Sequence, residues 1–524
     1  MSGFARTLGR RHARALAIVV VALAAVLPAG KAQAAPSQAD CDARPNNTIP
    51  KMLECMRVGQ VRAHQAALQE IANANGGNRF AGLSGHNESV DYVRDTLEAA
   101  GWDVSLQEFD YTSYRELGPS ALQQTAPGSI TYVDGTDFGV IDQSDPGDVT
   151  AAVTGVDLQF GLGNTSTSGC EEEDFAGFPA GNIALLQRGV CTFELKAENA
   201  AAAGAIGIVI FNQGNTPDRT GIPPVTLTAN NTSGIPVLGT TYQLGDTLAH
   251  TPGLEMRVFA NTERKVLPTA NVIAERTGAN DDNVVMAGAH LDSVLAGPGI
   301  NDNGSGSAVL LEIAQQLAHV KLQNTVRLAW WTAEESGLVG STHYVDSLSE
   351  EELGRIALYM NFDMVGSPNY IFMTQDADQS SFEAPVAVPD GSVAIEDLFE
   401  SFYTKQGEPY DDAAFDGRSD YQAFILNDVP AGGLFTGAEV PKTAEQAGIW
   451  GGTVGAQFDP CYHQACDTFA NNNNHALAVN ADLIAFAVLT YSYSTKSVNG
   501  VPGKTIPGTY PLPAPAGSEG TFLP

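Results

Sequence analysis

Short apolar runs recur through the second half of the chain, and each is followed by a stretch whose apolar positions return every three or four residues. The runs at 270–274, 284–289, 326–331, 356–360 and 431–435 are predicted strands, and 307–318, 340–347 and 475–493 predicted helices. Strand alternating with helix predicts an α/β fold: a mainly parallel central sheet flanked by helices. Nearer the amino terminus, 61–72 and 89–100 carry helical spacing, the latter through Val90, Val93 and Leu97, with Ser89 as its cap and Gly101 as its stop. Residues 103–109 alternate like a strand. From about Ile130 the pattern changes to short strands rich in Gly and Thr, with one strong helix, 191–204. The expected organisation is a linker at 35–58, a first piece of the α/β domain at 59–130, a β-rich insert at 131–264, a second piece of that domain at 265–495 and a tail at 496–524. Proline and glycine without periodicity make that tail read as a flexible tail or a remnant pro-segment.

The first 34 residues read as an export signal. Arg6, Arg10, Arg11 and Arg14 precede an apolar stretch at 15–27, and Ala32-Gln33-Ala34 offers the small-residue cleavage pattern. The stretch is too short for a stable membrane anchor. Arg10-Arg11 admits the twin-arginine route as well as the general one. Removal of this segment takes five basic residues with it, so the formal charge of −33 becomes −38. A chain this acidic repels phosphate backbones and anionic lipid, which argues against nucleic acid and membrane partners. It is expected to be secreted and monomeric. Its six cysteines fall in close pairs, Cys41/Cys55, Cys170/Cys191 and Cys461/Cys466, suggesting three local disulfides among the fifteen connectivities open to six cysteines.

The chemistry-bearing residues cluster just past the apolar runs. His290 ends the run 284–289 in Gly-Ala-His-Leu-Asp-Ser, with Asp292 placed to orient its imidazole. The glycine-rich loop Asn-Asp-Asn-Gly-Ser-Gly follows, able to turn Asp302 back toward His290. Glu334 and Glu335 come straight after 326–331, and adjacent acids at a strand end point in different directions. One of them, Glu335, is the expected metal ligand, and Glu334 the expected general base. Asp363 follows 356–360, and His463 lies between Cys461 and Cys466, whose bridge would limit its drift. Imidazole and carboxylate together suit zinc, and a catalytic site leaves a coordination position open. Two zinc ions per chain, sharing one carboxylate, fit this donor set. Tyr462, beside a ligand, is the expected hydrogen-bond donor to a tetrahedral oxyanion.

Two resemblances extend this reading. Gly-Val-Cys-Thr-Phe-Glu-Leu-Lys at 189–196 and Ala-Gly-Ala-Ile-Gly-Ile-Val-Ile-Phe-Asn at 203–212 resemble the protease-associated (PA) domain inserted into secreted peptidases. The motifs around His290, Asp302, Glu334–Glu335, Asp363 and Cys-Tyr-His-Gln-Ala-Cys-Asp look like those of the secreted bacterial two-zinc aminopeptidases of the leucyl type. That resemblance implies that His290 and Asp363 hold one zinc, that Glu335 and His463 hold the other, and that Asp302 bridges them. It also implies a substrate with a free amino terminus, and a pocket bordered by 417–420, including Arg418, with Met364 and Phe435 as apolar walls favouring Leu, Met or Phe. Secreted relatives can bind calcium, and acids are plentiful, although no EF-hand-type loop is present. The rivals are a carboxypeptidase on the same scaffold, which would need several cations, a one-zinc glutaminyl cyclase, and a binding protein that has lost its metals.

Overall fold

Eight strands build the sheet that carries the chemistry, and their burial follows from their composition. The computed structural model describes residues 36–518, so the expected export segment lies outside the described residues. In chain order the strands are β1 (Asp103–Glu116), β2 (Thr262–Arg276), β3 (Asn280–His290), β4 (Asn324–Trp331), β5 (Ile356–Phe362), β6 (Met373–Gln375), β7 (Asp411–Ala413) and β8 (Ala431–Phe435). Their order across the sheet is β1-β2-β4-β3-β5-β8-β6-β7. The centre, β4-β3-β5-β8, is parallel, as the alternating pattern predicts. β1 and β2 are antiparallel, and β6 runs antiparallel to β8. β5 is buried at every residue and β3 from Asn283 to His290, the mark of strands covered by helices on both faces. Helices Gly304–Leu317 and Asn474–Tyr493 supply much of that cover. The latter is long and apolar enough to cross a membrane, but it is mostly buried, so its apolar surface serves the core.

β1 and β2 form a long two-stranded ribbon, paired from Asp103↔Glu275 to Glu116↔Thr262. The ribbon leads to a second eight-stranded sheet formed by strands between Ala121 and Ala260. Its buried strands Ile183–Gln187, Gly207–Phe211 and Val237–Thr240 lie parallel. Helix Phe193–Ala202 lies where 191–204 predicted one, capped by the Thr192 side chain.

Several expectations need correction. The segment 35–58 is no linker: Gln38–Ala43 and Ile49–Cys55 are helices, tied by the Cys41–Cys55 disulfide, and Ile49 and Met52 are buried. Its Pro and polar residues serve as helix starts, with Thr48 capping and Pro50 in the first turn. A cross-link closing a loop of this size contributes about 3 kcal/mol. The Cys170–Cys191 and Cys461–Cys466 pairs are joined as well. The helix predicted at 89–100 starts at Ser84, and Ser89 bonds back to the Gly85 carbonyl from inside it. The strand from Asp103 continues to Glu116, because the ribbon needs it as a partner. The boundary set at 130 falls inside the second sheet, which already includes Ala121–Ala126. Among the described residues the tail has no regular element past Asn499 yet lies on the core: Ile506, Tyr510 and Leu512 pack there, and Lys405 Nζ donates to the Pro511 carbonyl. His64 and His86 are buried.

Candidate metal centre

Open parallel sheets place ligands beyond the carboxyl ends of their strands. Here His290 is the last residue of β3, Glu334 and Glu335 form a 3₁₀ turn just past β4, and Asp363 follows β5. Asp302 sits in the loop before helix Gly304–Leu317, and His463 in the loop closed by Cys461–Cys466. The backbone there is strained. Ala333, Leu338, Met364 and His463 all take positive φ, between 49° and 58°, which non-glycine residues adopt at a cost.

These loops bring the six side chains together. His290 Nε2 is 3.2 Å from Asp302 Oδ1, 3.3 Å from Asp363 Oδ1 and 3.9 Å from Glu334 Oε2. His463 Nε2 is 3.3 Å from Asp302 Oδ2 and 2.9 Å from Glu335 Oε2. Asp302 therefore turns one oxygen to each imidazole. His290 Nε2, Glu335 Oε1 and Asp363 Oδ1 are buried without a hydrogen-bond partner. Burial, helped by the neighbouring Asp363, Asp420 and Glu335, pushes Glu334 well above the ordinary carboxylate range against the pull of His290; burial also raises Glu335 to about 7, with Asp302 adding to the rise. Burial opposes the imidazolium form of His463, but hydrogen bonds to Asp302 and Glu335 carry it to about 10. Four acids with little exposure to water, crowded around two imidazoles, are unfavourable unless a positive charge sits among them. The donor set of nitrogen and carboxylate oxygen fits zinc.

A surrounding layer holds this arrangement. Asp292 lies 3.6 Å from His290 Nδ1 and accepts the backbone N–H groups of Glu334 and Glu335, so it steadies two loops at once. Three supports escaped sequence reading. Asn303 accepts from the Gly306 and Met364 N–H groups and donates to the Phe362 carbonyl, fastening the Asp302 loop to the Asp363 loop. Asp467 accepts from the N–H groups of Asn301 and Asp302; its place directly after Cys466 was the one available signal. Arg79, fully buried, donates to the carbonyls of Leu291, Pro298 and Gly299. Burial lowers its pKa to about 10, and Asp292, Asp467 and Asp302 resist the drop, leaving it charged at neutral pH.

Beside the centre opens a recess of about 270 Å³. Met364 and Phe435 both line it, as do Tyr462 and Arg418. Tyr462 stacks on His463 with ring centres 3.8 Å apart, and burial raises its pKa, which keeps the hydroxyl protonated and able to donate. Arg418 Nη1 is 2.9 Å from Glu439 Oε1, and its Nη2 donates to the Tyr462 hydroxyl at 3.4 Å. The Ser419 hydroxyl donates to Asp363 Oδ2 at 2.6 Å.

Comparison with known proteins gives this geometry a context. Residues 271–488 match peptidase family M28, and residues 148–248 match the PA domain. An aminopeptidase of Pseudomonas aeruginosa (strain UCBPP-PA14) is 51% identical over 445 residues, 85% of this chain and 83% of that protein. Leucine aminopeptidase 2 of Trichophyton equinum is 40% identical over 461 residues, 86% of this chain and 88% of its own. Among solved structures, a zinc aminopeptidase from Bacillus subtilis is 26% identical, with a TM-score of 0.52 over 83% of this chain and 94% of that one.

Proposed function

The chain belongs to peptidase family M28, and from that premise we propose that it is a secreted, monomeric zinc aminopeptidase holding two zinc ions per chain. The observation that carries the two-ion reading is the split of Asp302, one oxygen within 3.3 Å of each of two histidines. His290 and Asp363 would hold one ion, Glu335 and His463 the other, and Asp302 both. When bound, such a pair acidifies water and polarises the scissile carbonyl.

The chain's own groups do the rest. Glu334 stands 3.9 Å from His290 Nε2 and lines the recess, where it takes a proton from the attacking water and returns it to the leaving amine. The Tyr462 hydroxyl donates to the oxyanion as it forms. Glu334 and Asp363 accept from the free amino group. The wall beside them carries Asp302, Glu334, Glu335, Asp363, Asp416 and Glu439 against Arg418, which Glu439 already engages. That balance favours a substrate amine over a substrate carboxylate and so disfavours the carboxypeptidase reading. Met364 and Phe435 favour a large apolar first residue such as Leu, whose burial contributes about 1.5–3 kcal/mol. The three disulfides accord with export. Calcium would suit a separate group of acids, Asp376, Asp378, Glu396, Glu400 and Asp412, where the buried Asp412 Oδ1 has no hydrogen-bond partner.

Metal analysis and one variant test the core of this. Purified protein should contain two zinc ions per chain and hydrolyse leucyl p-nitroanilide but not its N-acetylated form. In Glu334→Gln both ions should stay while turnover falls by roughly 10²–10⁴. Undiminished turnover in that variant would refute the base.

A further inference from the structure

The recess is apolar along most of its wall, through Met364, Met373, Leu434, Phe435 and Phe458. Gln375 breaks that pattern. It is the last residue of β6, lines the same recess and is 8% exposed. Its Oε1 is buried with no hydrogen-bond partner, and among the described residues its side-chain amide makes no hydrogen bond. A carboxamide oxygen buried in this way gives up its bonds to water on folding, so leaving it unpaired is costly.

Strand geometry explains why the amide is held there. Alternation along β6 puts Met373 and Gln375 on one face and Thr374 on the other. Gln375 pairs with Ala413 of β7, and a Cβ at position 433 of β8 would come within 3.0 Å of its Oε1. Gly433 thus leaves room for the carboxamide between neighbouring strands. The amide sits in the wall that faces the substrate's first side chain if the aminopeptidase reading holds, and this inference rests on that reading.

We propose that Gln375 is a specificity-determining residue that hydrogen-bonds the far end of the substrate's amino-terminal side chain. The best fit is a side chain that is apolar along its length and neutral but hydrogen-bonding at its tip. Tyrosine has that form: the walls take the ring, and a carboxamide offers its hydroxyl both a donor and an acceptor. Charged tips fit less well, since Glu439 is engaged by Arg418, and Asp416 accepts from the Tyr421 hydroxyl. A site built around a polar partner discriminates against the analogue lacking it, because its own group is then left unpaired.

The test is kcat/KM on tyrosyl, phenylalanyl and leucyl p-nitroanilides, for the wild type and for Gln375→Leu and Gln375→Met. The wild type should prefer tyrosyl to phenylalanyl, and both variants should lower that ratio about tenfold while still cleaving the leucyl substrate. A wild-type ratio at or below one overturns the proposal without recourse to any variant. So does a ratio that is unchanged in a variant with leucyl turnover intact. Failure of the wild type on all three substrates would instead overturn the aminopeptidase reading, and this proposal with it.

Discussion

Asp302 is held in place from behind as firmly as it is committed in front. Its oxygens face His290 and His463, while its backbone N–H is fixed by Asp467, the residue directly after the Cys461–Cys466 loop. One short segment thus sets both Asp302 and the second histidine. Paired substitutions in that segment separate binding from chemistry. His463→Ala should lose zinc together with activity, whereas Tyr462→Phe should keep zinc and lose roughly 10²–10³ in kcat, as removal of an oxyanion donor does. Full zinc occupancy in the first variant, or unchanged kcat in the second, would contradict the assigned roles. The residues in front were legible in the sequence because each stands at the end of an apolar run or inside a cysteine pair. Those behind were not. Asn303, Asp467 and Arg79 act on backbone groups of loops, and Arg79 bonds carbonyls more than two hundred positions away. Nothing local to Gln375 distinguishes it from a surface glutamine.

Individual elements were easier to read where their apolar pattern was continuous. The central strands and the helices after them appear where the runs predicted, since burial on both faces demands such runs. The helices at 38–55 were missed because they are short, and caps and a disulfide stabilise them more than an amphipathic stripe does. Helix Ser392–Gln406 carries a different consequence. It presents Glu396 and Glu400 toward Asp376 and Asp412, near β6 and β7. Burial first, then the neighbouring acids, raises Glu396 to about 9 and Glu400 to about 7. Both folded values lie above the unfolded value of about 4.3. Folding therefore favours the protonated forms, and the stability they contribute is full below that value and is lost as pH rises through about 7 and then about 9. A bound calcium ion would remove this penalty. Thermal melts with and without calcium should show a gain in Tm that is larger at alkaline than at mildly acid pH, and Asp412→Asn should reduce it. A gain independent of pH, or none, would rule out calcium at these acids.

At the scale of the whole molecule, the insert is attached by a narrow connection. β1 and β2 stay in register over their shared length, so the chain leaves the catalytic sheet on one strand and returns on the strand beside it. Among the described residues, the side-chain hydrogen bonds joining the second sheet's segment to the rest land on the ribbon: Thr262 donates to the Ser144 carbonyl, and Arg264 reaches Asp145, Asn231 and Ala229. The apolar clusters of the insert are built from its own residues, and the catalytic core draws on none of them. Glu116 and Thr262 are direct partners at the ribbon's far end, a spacing that a two-residue Asn-Gly turn can close. Replacing 117–261 with such a turn should therefore leave a folded protein that binds zinc and cleaves leucyl p-nitroanilide. Comparing its kcat/KM on that small substrate and on longer peptides with the full chain's would then isolate the insert's contribution. Equal values throughout would assign it no part in hydrolysis, and a loss confined to long peptides would place it in substrate capture. Failure of the shortened chain to fold or to take up zinc would show that the ribbon transmits stability between the sheets, contrary to the independence argued from their separate cores.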